Sequence, residues 1–149
     1  MLRILVVAAV VALVVGASIW WRRRDGHLHE ASGSLRPQDL GVSRRSQDIA
    51  TIVEFTGAGC GPCGPLRDRL DALADEIGDI RIVAIDAGER LDLAERYDVR
   101  RVPTVLIADE RLRIRWRASG VPNDRELREA LLGPAWAGRP HPDHVDDLH

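Results

Sequence analysis

Apolar and polar residues follow different rhythms along this chain, and each rhythm predicts an element. From Leu2 to Trp21 there is scarcely any polarity, with Arg3 the one charged residue. A run of that length suffices to cross the hydrocarbon layer of a bilayer as a helix. Trp20-Trp21 and then Arg22-Arg23-Arg24 close it, an aromatic belt followed by a basic cluster. Residues 1–24 therefore read as a transmembrane anchor with a basic flank. A cleaved secretory signal is the competing reading, because Val15-Gly16-Ala17 offers a small-residue site after the apolar core. Against it, the basic cluster lies on the wrong side of that core.

Residues 25–45 are polar, with Gly26, Ser32, Gly33, Ser34, Pro37 and Gly41 scattered through them, the composition of a partly flexible linker. Leu35, Leu40 and Val42 are isolated apolar points, enough for a reduced first strand or helix. His27 and His29 read as solvated linker residues, since no further ligand type clusters with them.

Over residues 46–132 the pattern becomes that of a packed domain. Ile52-Val53-Glu54-Phe55 is a β-branched apolar run, and it passes through a glycine-dotted turn into Leu66, Leu70, Leu73 and Ile77 at helical spacing. Residues 80–86 read as a buried strand, 91–97 as a short helix, and Thr104 to Ile107 as another strand. Leu112, Ile114, Trp116 and Ala118 then alternate with Arg111, Arg113, Arg115 and Arg117, the period of a half-buried strand. The arginine side reads as a solvated sheet face, with an acidic-partner or lipid-headgroup surface as the sharper alternative. Asn123 or Asp124 caps a last helix that buries Leu127, Ala130 and Leu131. The order is β-α-β-α-β-β-α, an α/β fold with a central mixed sheet and helices on both faces. Residues 133–149 bring Pro134, Pro140 and Pro142 with no apolar period, and read as a disordered tail in which His141, His144 and His149 form no regular metal site.

Composition narrows the possibilities. A formal net charge of −2 argues against a general nucleic-acid binder, so no nucleic acid is expected as partner. All 21 basic residues are arginine, a compositional habit rather than a functional sign. Two cysteines are too few for a disulfide scaffold and, alone, too few for zinc, so no metal is expected. Both lie at the turn before the helix, as Cys60-Gly61-Pro62-Cys63. Cys60 is expected at or just before the first helical turn, where unpaired N–H groups and the helix dipole favour a thiolate. It is the candidate nucleophile. Cys63, one turn further in, is close enough to pair with it, and Pro62 suits an early helical position.

These residues, together with Arg101-Val102-Pro103-Thr104 and Glu54 on the preceding strand, resemble the thioredoxin family over roughly residues 46–132. The resemblance implies a thioredoxin-like fold and a protein-disulfide reductase that works by dithiol–disulfide exchange through Cys60 and Cys63. It implies no cofactor beyond the redox-active Cys60–Cys63 disulfide. Its partners would be protein disulfide substrates and a thiol electron donor. In that family the proline matching Pro103 follows a cis bond and faces the cysteines, and the acid matching Glu54 is buried. Glu54 would then accept the Cys63 proton, whereas an outward-pointing strand residue is the plain alternative. Gly61, Pro62, Val102, Pro103 and Gly120 would border the substrate. The Gly-Pro pair between the cysteines resembles the reducing members.

The departures concern partner choice more than the reaction. Gly59 replaces a tryptophan that commonly precedes the first cysteine, Ala84 stands where a buried lysine is frequent, and Gly64-Pro65 replaces a basic-plus-apolar pair. Because Arg22, Arg23, Arg24, Arg36, Arg44 and Arg45 all follow the apolar run, the domain is expected to face the cytoplasm as a single-pass membrane protein. Two alternatives stand beside this: an outward-facing reductase of exported thiols such as cytochrome c apoproteins, and a non-catalytic binding module on the same fold.

Overall fold

The computed structural model describes residues 2–24, 26–41 and 48–133. Its first helix, α1 (Leu2–Arg24), forms where the unbroken apolar run lies, with side chains such as Ile4 and Leu13 exposed. Over residues 3–18, the part of α1 whose side chains are described, no helix is long and apolar enough to cross a membrane. The expected helix is present, and a transmembrane span is absent among the described residues.

The domain is built on a five-stranded mixed sheet of order β1-β5-β4-β2-β3, with β1 at His29–Glu30, β2 at Ala50–Thr56, β3 at Ile80–Asp86, β4 at Thr104–Asp109 and β5 at Ile114–Ser119. The β2 and β3 strands are parallel, as the crossover through α2 (Cys63–Ile77) requires, and the other pairs are antiparallel. Strand β2 is paired on both edges and buried on both faces. Its Ile52 packs with Leu66 and Leu70 of α2 and Leu127 of α4 (Asp124–Leu132), while Val53 and Phe55 pack with Leu93 of α3 (Leu91–Arg96) on the opposite side. Asn123 caps α4, its side-chain oxygen accepting the Glu126 N–H at 2.9 Å.

Much of the stretch expected to be a flexible linker lies against the sheet. His29 and Glu30 pair with Arg117 and Trp116 of β5, and the Leu35 N–H donates to the Leu112 carbonyl at 2.7 Å. A 3-10 turn at Pro37–Leu40 buries Leu40 and Asp39. Asp39 accepts from Arg96 and from the Tyr97 hydroxyl, each at 2.8 Å. His27, expected to be merely solvated, contacts the Glu126 carboxylate at 2.8 Å. Gly26 needs its lack of a side chain: its φ is +89°, and a Cβ there would meet the Val121 carbonyl oxygen at 2.2 Å.

Two further expectations are corrected. The strand at residues 80–86 is an edge strand, so most of it is half-buried and Ala84 is exposed. The expected single arginine face is broken: a register shift at Ile107/Ala108 sends Leu112 and Ile114 into one core and Trp116 into the other, and the arginines of this stretch are engaged rather than simply solvated. Arg113 pairs with Asp109, and Arg117 donates to the backbone carbonyls of Tyr97 and Asp98. Asp109 also accepts the N–H groups of Arg111 and Arg113 in a turn that places Leu112 at φ +62°, so the strand starts at Ile114. The expected disordered tail lies outside the described residues beyond Gly133.

Candidate active site

Strand β2 ends at Thr56, and the chain needs two tight turns before α2 can begin. The Cys60 N–H donates to the Gly57 carbonyl at 3.1 Å and the Cys63 N–H to the Cys60 carbonyl at 3.3 Å. Gly59 supplies the positive φ, +74°, of the first turn. The helix therefore starts at Cys63, with Pro62 in the capping position just before it rather than inside the first turn. Cys60 and Cys63 form a disulfide with a Cα–Cα separation of 5.5 Å. Cys63 is 5% exposed, whereas Cys60 is partly open to solvent. An incoming disulfide therefore meets Cys60 first.

The second wall of the site is the loop before β4. The Val102-Pro103 bond is cis. A methyl group placed on Gly57 would lie 3.5 Å from Val102 Cγ2, so this loop stands directly against the turn that carries Cys60. Gly120 has φ +111° and donates its N–H to the Pro103 carbonyl at 2.8 Å, and the Thr104 hydroxyl donates to the Arg101 carbonyl at the same distance. Among the described residues, the Val102 backbone takes no part in hydrogen bonding. Gly61 and Pro62 are exposed, and a Cβ at Gly59 or Gly61 would meet nothing within 4 Å. The surface around Cys60 is thus bare and open, as the missing tryptophan implies.

Glu54 lies in the middle of β2, 1% exposed, with Ala84 and Val105 as its register neighbours. It shares the α2 face of the sheet with Ile52. Its Oε2 lies 3.9 Å from the guanidinium of Arg67, which follows Cys63 by one turn on the same face of α2. Glu54 is therefore beneath the first turns of that helix and does not point to solvent. Burial raises its pKa above the usual carboxylate value; Arg67 opposes that rise and Asp71 adds to it. The sequence reading did not single out Arg67. Its position one helical turn beyond Cys63 was the available signal.

A Cys-x-x-Cys disulfide at the start of the helix that follows the central strand, with a cis-proline loop against it, defines a thioredoxin-like α/β protein with a redox-active pair. The chain belongs to the thioredoxin family, whose profile, described as Thioredoxin, matches residues 41–131. It is 37% identical over 60 residues to a thioredoxin of Echinococcus granulosus, covering 40% of this chain and 56% of that protein. It is 31% identical over 74 residues to a thioredoxin of Bacillus subtilis, covering 49% and 71% respectively. A mutant thioredoxin from Halobacterium salinarum superposes with a TM-score of 0.53 at 25% identity, over 68% of this chain and 84% of that one. Matching segments thus span about half to seven-tenths of these curated relatives.

Proposed function

We propose that this protein reduces protein disulfides by dithiol–disulfide exchange. The observation that carries this reading is the Cys60–Cys63 disulfide, with the more exposed sulfur on Cys60 and the Val102-Pro103 loop packed against its turn. In the reduced protein the Cys60 thiolate attacks one sulfur of a target disulfide, forms a mixed disulfide and expels the other target sulfur as a thiolate. Glu54 takes the proton of the Cys63 thiol, and the resulting thiolate attacks Cys60 Sγ. That step closes the Cys60–Cys63 disulfide and releases the second target thiolate. Two electrons pass from the pair to the target, and an external thiol donor restores them. The pair holds those electrons itself, so the reading requires no other cofactor or metal. The bare surface at Gly59 and Gly61 and the open Val102 backbone suit an extended segment of a protein substrate.

In this proposal α1 is a single-pass anchor. Its 23 residues make a helix of about 34 Å, close to the thickness of a hydrocarbon layer. The arginines at 22–24, 36, 44 and 45 favour a domain on the cytoplasmic side.

Reduction of insulin by the full-length protein, with dithiothreitol as the thiol donor, tests the activity. Acceleration that is lost in Cys60→Ser is expected, and a rate equal to dithiothreitol alone would refute it. Labelling Cys60 in whole cells with a membrane-impermeant thiol reagent tests orientation. Labelling only after permeabilisation is expected; labelling of intact cells would place the domain outside.

A further inference from the structure

The two charges that meet Glu54 both come from α2. Its neighbours across the sheet, Ala84 on β3 and Val105 on β4, carry none, and the same face continues with Ala118 of β5 and Leu127 of α4. Arg67 points one guanidinium nitrogen toward Glu54 Oε2 at 3.9 Å, beyond hydrogen-bond distance. Its Nε–H is shared between the two oxygens of Asp71, each at 3.2 Å. Glu54 Oε1 and Arg67 Nη1 are both buried atoms with no hydrogen-bond partner among the described residues. A buried carboxyl and a guanidinium nitrogen thus face each other with their bonding capacity unused, while an exposed carboxylate holds the arginine from behind.

We propose that Arg67, held by Asp71, is a positioning residue that sets how readily Glu54 accepts the proton of Cys63. This rests on the reading above that Glu54 is that acceptor. A close two-point ion pair would lock Glu54 as an anion too weakly basic to take a thiol proton. With no cation at all, burial would keep the carboxyl protonated and unable to act. The loose contact lies between these limits, and Asp71 moderates it by drawing part of the guanidinium charge away. Burial and the two α2 charges push Glu54 in the directions this arrangement requires: burial and Asp71 upward, Arg67 downward. Because Ala84 is small and exposed on the edge strand, the arginine is supplied across the helix rather than along the sheet.

The test uses reduced full-length protein and an aromatic disulfide, 5,5′-dithiobis(2-nitrobenzoate). The first thionitrobenzoate released reports attack by Cys60. The second reports attack by Cys63 on the mixed disulfide, and its rate is followed from pH 5 to 9. In Arg67→Ala the second-phase profile should move to higher pH, with the rate at pH 6 falling about tenfold, one decade per unit of displacement. Asp71→Asn should move it to lower pH, and Arg67→Lys should restore most of the wild-type profile. Opposite displacements from neighbouring residues are not what loss of packing produces. Glu54→Gln serves as the reference. If it alters the second phase while the Arg67 and Asp71 variants superpose on wild type, the arginine proposal is overturned and the role of Glu54 stands. If Glu54→Gln leaves the second phase unchanged, Glu54 is not the acceptor and both ideas fall, leaving the cysteine chemistry to its own test.

Discussion

Gly57 and Val102 stand face to face, with Val102 Cγ2 only 3.5 Å from where a Cβ on Gly57 would be. The contact joins the turn after β2 to the loop before β4, segments far apart in sequence. It fixes the distance between Cys60 and the surface against which a substrate segment would lie. Val102→Ala should lower kcat/KM for a protein disulfide by about tenfold, the loss of roughly 1.4 kcal/mol of binding in the transition state. The rate with a small aromatic disulfide should change by less than about twofold, because such a substrate does not reach the loop. Equal losses with both substrates would mean that Val102 only supports the turn.

Glu54 also bears on stability. Its folded-state pKa is raised, chiefly by burial, above the ordinary 4.5. The native state therefore binds more protons than the unfolded chain between the two values, and stability falls as pH rises through that interval. Glu54→Gln removes the buried charge at nearly constant shape. Urea unfolding should show this variant more stable than wild type at pH 8, with the gap closing as pH falls below about 4.5. A variant less stable than wild type at pH 8 would contradict the burial account.

Asp39 behaves in the opposite sense. Burial works to raise its pKa, but hydrogen bonds from Arg96 and Tyr97 and the nearby charges outweigh this and hold it below the ordinary 3.8. Its stabilising contribution is therefore complete above the ordinary value and is lost as pH falls through the folded one. Asp39→Ala should cost about 2 kcal/mol at pH 7, since it strips an acceptor from the Tyr97 hydroxyl and the partner from Arg96. Repeating the urea titration at pH 3 should give a smaller difference.

Gly26→Ala probes whether the segment before β1 belongs to the domain. A methyl group there would overlap the Val121 carbonyl, and the backbone would have to keep a left-handed φ. The expected penalty is about 2 kcal/mol or more, with weakened hydrogen-exchange protection at Gly26, whose N–H donates to the Ser119 carbonyl. An unprotected Gly26 N–H in the wild type, or a substitution without cost to stability, would show that this segment does not hold to the sheet.

The parts of the fold legible in the sequence are those encoded by short-range patterns. The β2 strand and α2 helix follow from the run at Ile52 to Phe55 and the helical spacing of Leu66, Leu70 and Leu73, and the cysteine turn announces itself by composition. Strand β1 left no such trace. Its two residues, His29 and Glu30, are exposed and join the sheet through the backbone, so side-chain periodicity cannot mark them. The Asp39–Tyr97 contact is invisible for another reason: it joins residues 58 positions apart, and a polar residue in a Gly- and Pro-rich stretch reads as solvated until the fold buries it. Pro62 lies just before α2 rather than inside it because the turn bonds of Cys60 and Cys63 precede the helix, a choice between competing hydrogen bonds that residue type alone does not record. Arg67 went unnoticed because it meets Glu54 only across two elements.

The most direct test of the central account is to trap the exchange intermediate. Full-length Cys63→Ser, incubated reduced with a disulfide-bonded protein, should accumulate a mixed disulfide through Cys60, seen by mass spectrometry as a species that dithiothreitol dissolves. Cys60→Ser should accumulate far less, because Cys63 is nearly buried. Trapping through Cys63 in preference to Cys60, or through neither, would contradict the assignment of Cys60 as the attacking thiol.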